Sequence, residues 1–142
     1  MFRKFLLSLA IMLLIFPYLT IDAAKAEVIQ VDNETLKQLL SDGVPLIDVR
    51  TASEWRQTGI IEGSHLLTFF DEKGQYDVDA WLKKLQQIVT PEQSVVFICA
   101  IGGRTQAITH FLDVQLGYKK VHNVTGGIKA WINARNSTVS TP

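Results

Sequence analysis

The chain has 142 residues, 47% of them hydrophobic, and its 14 basic and 14 acidic residues cancel to a formal net charge of zero. A length and composition of this kind predict one globular domain. The balanced charge argues against nucleic acid and anionic membrane surfaces as partners, because both select strongly basic proteins.

The N-terminal residues have the pattern of a secretory signal peptide. A basic start, MFRK, precedes an uncharged apolar run from Phe5 to Ile21, and Ala24-Lys25-Ala26 then fits a cleavage site. We expect residues 1–26 to be removed and the protein to be exported, to a periplasm. The alternative is an uncleaved membrane anchor facing the periplasm, although the run is near the lower length limit for a bilayer span. Cleavage removes three basic residues and one acidic residue, which leaves a net charge of −2.

The first half of the remaining chain alternates between apolar strands and short helices. EVIQV, residues 27–31, is a predicted strand, and Asp32 or Asn33 then caps a helix. LIDV, residues 46–49, has the composition of a buried strand. Residues 51–54 form a capping box, in which a threonine oxygen and a glutamate side chain satisfy free amides at the start of a short helix.

The second half continues the alternation. SHLLTF, residues 64–69, is a predicted strand, and apolar side chains at helical spacing predict a helix over residues 78–88. SVVFIC, residues 94–99, is the clearest buried strand because it is rich in β-branched residues and uncharged. Three elements follow: a helix that ends at Gly117, a short strand at 121–124 and a short helix at 128–134.

This alternation predicts an α/β domain of three layers, a parallel sheet of about five strands with helices on both faces. Residues 27–136 are assigned to the domain, and residues 137–142 are expected to be a flexible tail. In such sheets ligands bind outside the carboxyl ends of the strands. Cys99 lies at that end of the most buried strand.

Cys99 is the only cysteine, so the chain cannot form an internal disulfide. After it, Gly102 and Gly103 permit a loop whose amides point into one small bowl, and the next helix adds the positive end of its dipole. A thiol at the floor of such a bowl ionises more readily than a free one. We therefore predict a reactive cysteine instead of an inert buried one. Arg104 would line the rim, recruit an anion, or tie the loop to the body through a carboxylate.

Four segments together resemble the rhodanese-domain sulfurtransferases. CAIGGR, residues 99–104, looks like the active-site loop C-x-x-G-x-R of that family, and LIDVR, residues 46–50, is similar to its D-V-R segment. EWRQTGIIEGS, residues 54–64, resembles its E-[FYW]…G-x-I-x-G-[AS] segment. VHNVTGGIKAW, residues 121–131, is similar to its closing G-G-x-x-x-W. The four segments occur in the family's order, and the match spans about residues 31–134.

The resemblance implies a two-step transfer of sulfur. Cys99 attacks the outer sulfur of a donor such as thiosulfate and becomes a persulfide, which cyanide or another thiol then discharges. The loop residues would bind the transferred sulfur and its donor: Ala100, Ile101, Gly102, Gly103 and Arg104. The expected partners are a small sulfur-containing anion or polysulfide and, as acceptor, a thiol protein.

Other polar residues are assigned to supporting roles. Asp48 and Arg50 are expected to form an ion pair that supports the site without touching substrate. No metal or organic cofactor is expected, because the resemblance implies none and His65, His110 and His122 have no ligand-like spacing.

Two positions depart from the family pattern. Ile60 stands where many members have histidine, and Ala100 and Ile101 stand where thiosulfate-preferring members often have a basic residue. Thiosulfate is therefore expected to be a poor donor, and a polysulfide or protein partner a better one.

Three alternatives remain open at this point. The alternatives to a sulfurtransferase are a dedicated persulfide carrier, a rhodanese-like binding module, and a cysteine phosphatase or arsenate reductase. The last is disfavoured because those enzymes use C-x5-R, whereas four residues separate Cys99 from Arg104.

Overall fold

The computed structural model describes residues 27–142, and the predicted signal peptide or anchor, residues 1–26, lies outside the described residues. Ten elements follow in chain order: β1 (Ile29–Val31), α1 (Asn33–Ser41), β2 (Leu46–Asp48), α2 (Ala52–Thr58), β3 (His65–Leu66), α3 (Val78–Leu85), β4 (Ser94–Ile98), α4 (Gly103–Leu116), β5 (Lys120–Val124) and α5 (Gly127–Asn133). No helix within this part of the chain is both long enough and apolar enough to cross a bilayer.

The five strands form one parallel sheet in the order β1-β5-β4-β2-β3. The central strand β4 pairs with β2 through Asp48 opposite Ile98, and with β5 through Phe97 opposite Asn123. Because β4 is covered on both faces, its residues from Val95 onward are buried, as the uncharged run SVVFIC predicts. The predicted α/β fold with a parallel sheet is thus confirmed.

Helices cover both faces of the sheet and bury two separate apolar cores. On one face, α3 and α4 place Trp81, Leu85, Ile108 and Leu112 against strand residues that include Phe97. On the other face, α1 and α5 contribute Leu36, Ile128 and Trp131. α2 buries no residue of its own and lies at the carboxyl edge of the sheet, where its side chains are available to the site.

The predicted helix starts agree with the structure. Asp32, one of the two candidates, caps α1 by accepting from the Thr35 amide at 2.8 Å. The predicted capping box of α2 is present, with Thr51 and Glu54 bonded reciprocally. These starts follow from local chemistry, since the side chains satisfy amides that no preceding turn can reach.

Two predicted elements are markedly longer than the observed ones. The strand predicted over residues 64–69 is reduced to His65–Leu66, because only Ile47 and Asp48 pair with it at the edge of the sheet. The helix predicted over residues 78–88 ends at Leu85.

Residues 137–139, part of the expected flexible tail, contact the domain. Ile60 and Val139 exchange two backbone hydrogen bonds of 2.9 Å, and Trp131 Nε1 donates to the Ser137 carbonyl at 2.8 Å. Gly59 makes this approach possible, since a Cβ there would lie 2.8 Å from Thr138 Oγ1. The polar composition of the tail concealed these contacts, which are formed mainly by backbone groups.

Candidate active site

Cys99 lies directly after β4, at the carboxyl edge of the sheet, and is 1% exposed. The Gly102 amide donates to its sulfur at 3.2 Å, and the Thr105 hydroxyl lies 3.4 Å from the same atom. The loop therefore curls back over the thiol, and the predicted bowl of hydrogen-bond donors is present in the structure.

Gly102 makes the curl possible. Its φ of +96° lies in the left-handed region, which side chains other than glycine rarely adopt. A Cβ there would also lie 3.3 Å from both the Val124 carbonyl oxygen and the Gly126 amide. The chain turns at this residue, and α4 begins at the next one with its first amides near the sulfur.

The start of α5 holds the same loop from outside. The Ile128 amide donates to the Cys99 carbonyl at 2.9 Å, and the Lys129 amide donates to the Ala100 carbonyl at 3.1 Å. Gly127 permits this contact, because a Cβ on it would collide with the backbone of Cys99 and Ala100. With these two carbonyls fixed outward on α5, the following amides are directed towards the thiol.

Burial raises the pKa of the Cys99 thiol, but hydrogen bonds to the thiolate outweigh it, so that the pKa is lowered overall. The donors are the Thr105 hydroxyl first, then the amides of Thr105, Gly102 and Ile101. Such donors stabilise the charged form of a cysteine and make it a better nucleophile at neutral pH.

Arg104 is tied to the body of the domain by Glu54. Its Nη1 donates to Glu54 Oε2 at 2.9 Å and its Nη2 to Oε1 at 2.5 Å, a two-pronged pair with both side chains about 30% exposed. This hydrogen bonding raises the pKa of Arg104, to which the nearby Cys99 thiolate also contributes. It also lowers the pKa of Glu54 to about 2. Of the three roles considered for Arg104, the structure shows the third, an ion pair with a carboxylate that holds the loop to the body of the domain.

Asp48 and Arg50 form the predicted ion pair, fully buried at 0% and 1% exposure. The guanidinium meets both carboxylate oxygens, at 2.9 Å from Nε to Oδ1 and 2.7 Å from Nη2 to Oδ2. Arg50 also donates to Thr58 Oγ1 at 2.7 Å and to the Gly59 carbonyl at 3.0 Å. The pair therefore fixes the end of α2 to β2.

Comparison with known proteins agrees with this geometry. The family described as "Rhodanese-like domain" matches residues 32–134. The chain belongs to the rhodanese-like domain family.

Relatives of this rhodanese-like chain include two proteins of Arabidopsis thaliana. "Thiosulfate sulfurtransferase 18" is 32% identical over 111 residues, covering 75% of this chain and 80% of the relative. "Rhodanese-like domain-containing protein 17" is 30% identical over 137 residues, covering 94% and 86%. The solution structure of the polysulfide-sulfur transferase homodimer from Wolinella succinogenes has a TM-score of 0.64 at 22% identity, covering 84% and 83%, and supports the shared fold.

The rim of this rhodanese-like site is apolar on the side of α5. Ile101 is 67% exposed, and with Ala100 it borders a groove of about 250 Å3 between α2 and α5. Ile128, Lys129 and Ile132 line the wall formed by α5, and Arg50 and Glu54 line the opposite side. A larger groove of about 420 Å3 lies beside α3, and none of the loop residues lines it.

The histidines stay outside the site. His110 is exposed on α4, and His122 is buried with Nδ1 against the Val95 carbonyl at 3.1 Å. Residues 27–142 contain no group of three or more His, Cys, Asp or Glu side chains arranged to hold a metal ion.

Sequence reasoning missed two residues that contact the loop. Thr105 is fully buried, and its hydroxyl contacts both the thiol and the Gly102 carbonyl, the latter at 3.1 Å. Glu54 was recognised as a helix cap but not as the partner of Arg104. A threonine in the first turn of a helix that follows a glycine turn is the signal for Thr105. The pairing of Glu54 joins residues 50 positions apart and has no local signal.

Proposed function

We propose that this protein is a sulfurtransferase that moves a sulfane sulfur from a donor to a thiophilic acceptor through a persulfide on Cys99. The observation that supports this most directly is the hydrogen bonding of a buried thiol by the Gly102 amide and the Thr105 hydroxyl. The family, and the printed name of a relative at 32% identity, support the same class of reaction.

In the first step the Cys99 thiolate attacks the outer sulfur of the donor. With thiosulfate, a new S–S bond forms, the donor's S–S bond breaks, and sulfite leaves with the electron pair. Cys99–S⁻ and S₂O₃²⁻ thus give Cys99–S–S⁻ and SO₃²⁻. The loop amides and the Thr105 hydroxyl stabilise the charge on sulfur before and after transfer, so the step needs no acid–base partner.

In the second step an acceptor removes the outer sulfur. Cyanide attacks it, the Cys99 S–S bond breaks, thiocyanate leaves, and the thiolate is regenerated. A thiol acceptor reacts in the same way and becomes the new persulfide. Because Ala100 and Ile101 offer no charge to thiosulfate, polysulfide or a thiol protein is the proposed natural partner.

A dedicated persulfide carrier is the second candidate. The exposed Ile101 and the apolar groove beside it give a docked protein a surface next to the loop. A carrier forms a stable persulfide but turns over slowly with cyanide. A phosphatase or arsenate reductase is less well supported, because Glu54 already occupies the guanidinium that would bind the oxyanion.

Export is proposed on the sequence pattern of residues 1–26, with cleavage after Ala26. Expression of the full chain followed by fractionation and intact mass measurement tests it. A periplasmic protein beginning at Glu27 supports export with cleavage, a full-length membrane-bound protein supports the anchor, and a full-length cytoplasmic protein overturns both.

Intact mass measurement tests the persulfide. The purified protein is treated with thiosulfate or polysulfide and then with cyanide, beside Cys99→Ser. The expected result is a gain of one sulfur atom that cyanide removes and that the variant does not show. No gain with either donor overturns the proposal.

A further inference from the structure

The active-site loop has little net positive charge, although two arginines lie at it. Arg50 is paired with Asp48 in the interior, and Arg104 is paired with Glu54 at the rim. In the described part of the chain, Lys129 is the other basic residue that borders the loop's apolar groove, and its side chain is exposed to solvent. Its charge is therefore screened by water and salt.

Glu54 is held firmly in this arrangement. One of its oxygens accepts from the Thr51 amide at 3.0 Å at the start of α2, and both accept from Arg104. Rotation of the carboxylate away from Arg104 would break these hydrogen bonds. Arg104 therefore presents to a donor the field of a neutral pair, not that of a free cation.

We propose that Glu54 is a specificity-determining residue, which cancels the charge of Arg104 and so favours singly charged persulfide donors over the thiosulfate dianion. This inference rests on the proposed sulfurtransferase function and names the donor class of that same site. The donor is an alkyl persulfide or a comparable monoanion, whose apolar substituent meets Ile101 and the groove beside it.

The charges of the two reactions explain the selection. With an alkyl persulfide, Cys99–S⁻ and R–S–S⁻ give Cys99–S–S⁻ and R–S⁻. The donor's S–S bond breaks, the electron pair leaves on the alkyl thiolate, and the total charge is −2. With thiosulfate the total is −3. Glu54 lines the same groove as Ala100 and Ile101. At an effective dielectric constant of about 20, a fixed carboxylate roughly 12 Å from the additional negative charge disfavours it by about tenfold in rate.

The decisive experiment compares both donors in the first half-reaction. Persulfide formation on the full protein is followed by rapid quenching and intact mass, with thiosulfate or ethyl persulfide in excess. Glu54→Gln keeps an acceptor for the Thr51 amide but loses the charge. We expect it to accelerate the thiosulfate reaction roughly tenfold, mainly through tighter donor binding, while the ethyl persulfide rate changes by less than about threefold.

Two matched variants separate charge from structure. Glu54→Asp keeps the charge and is expected to keep the wild-type ratio of the two rates. Glu72→Gln removes an equal charge beside the same helix, where Glu72 accepts from Ser53 Oγ at 2.9 Å and does not contact Arg104. It is also expected to keep the wild-type ratio. An unchanged ratio in Glu54→Gln, or an equal change in Glu72→Gln, overturns the inference.

A measurement on the wild type does not depend on whether a variant folds. If Arg104 is neutralised, raising the salt from low to physiological concentration lowers the thiosulfate rate by less than about twofold, because no free cation attracts the dianion. A steep fall identifies Arg104 as an anion receptor and overturns the inference. If the wild type forms no persulfide with either donor, the sulfurtransferase proposal itself fails, which is a different result.

Discussion

Two helices of this molecule begin in the same way, yet they contact the loop of residues 99–104 differently. α4 starts after Gly102 and α5 after Gly126, and neither start has a side-chain cap. At α4 the Thr105 amide helps stabilise the Cys99 thiolate. At α5 the first-turn amides donate instead to loop carbonyls, those of Cys99 and Ala100.

The difference shows that a helix start has no fixed role in a site. Its free amides bind whatever acceptor the fold places opposite them. Opposite α4 the acceptor is the Cys99 sulfur, and the amides there help to lower the pKa of the thiol. Opposite α5 the acceptors are carbonyl groups, so the amides set the shape of the bowl. A variant that affects only the start of α4 therefore tests the stabilisation of the thiolate. A variant that affects only the start of α5 tests the shape of the loop.

The largest expected effect comes from Gly127→Ala at the start of α5. The added Cβ would overlap the backbone of Cys99 and Ala100, and φ is +59° there. We expect a loss of about 3 kcal/mol or more in the free energy of unfolding. Urea denaturation measures it.

Gly103→Ala, at the start of α4, is the matched control for that substitution. No atom lies within 4 Å of its added Cβ, so we expect a change within about 0.5 kcal/mol. Equal losses in the two variants would contradict the close contact between α5 and the loop.

The next effect concerns the chemistry at α4. Thr105→Val keeps the shape of the side chain but removes the hydroxyl, the leading hydrogen bond that lowers the pKa of Cys99. A hydrogen bond to a charged group contributes about 1.5 kcal/mol or more. Without that donor the thiolate is less stable, so the pKa rises. At pH 7 the rate of alkylation by iodoacetamide should then fall about tenfold, in proportion to the thiolate fraction.

Thr109→Val is the control one helical turn later. Its hydroxyl donates to the Thr105 carbonyl at 2.7 Å and has no contact with the sulfur. The pH profile of alkylation should therefore match that of the wild type. A profile shifted as far as in Thr105→Val would show that helix geometry, not the hydroxyl, sets the pKa of the thiol.

Acid should loosen the α4 side of the loop and spare the α5 side. The pKa of Glu54 is lowered from 4.5 to about 2 by Arg104. A lowered pKa in the folded state adds stability above about pH 4.5, and this contribution is lost as the pH falls towards 2. Because the pair is partly exposed, we expect a loss of about 1 kcal/mol.

Unfolding by urea at pH 6 and at pH 3 measures this loss, with Glu54→Gln as the reference. The wild type should lose about 1 kcal/mol more than the variant between the two pH values. The backbone hydrogen bonds at α5 do not titrate in this range. Equal losses in the two proteins would show that the pair contributes nothing to folding.

Much of this architecture follows from local sequence, whereas the contacts of the site with distant segments do not. The uncharged run before Cys99 predicts a central strand, and the capping box at Thr51 predicts the start of α2. These signals lie within a few residues of the structure they specify. The ion pair between Arg104 and Glu54 joins segments that only the packing of the sheet brings together. The backbone hydrogen bonds from α5 to the loop do the same. The contact of the tail has no local signal for the same reason, since Val139 pairs with Ile60 across the fold.

The smallest expected effect on stability comes from the Lys129 side chain on α5, which is compared with the backbone amide of the same residue. Lys129 holds the Ala100 carbonyl with its amide, while its side chain is exposed. Lys129→Gln should therefore change the free energy of unfolding by less than about 0.5 kcal/mol. Lys129→Pro removes this amide at the third helical position, places the ring against the Ala100 carbonyl oxygen and disfavours the helical conformation of Ile128, so it should cost about 3 kcal/mol or more.

Arg104→Gln is the corresponding change at α4, where a side chain holds the loop. It breaks a partly buried two-pronged pair and should cost about 1 to 2 kcal/mol. The two substitutions to glutamine should therefore differ, and the proline variant should lose more stability than either. Urea denaturation of the three variants side by side makes the test. A loss in Lys129→Gln as large as in Arg104→Gln would mean that the lysine charge, and not the α5 backbone, holds the loop.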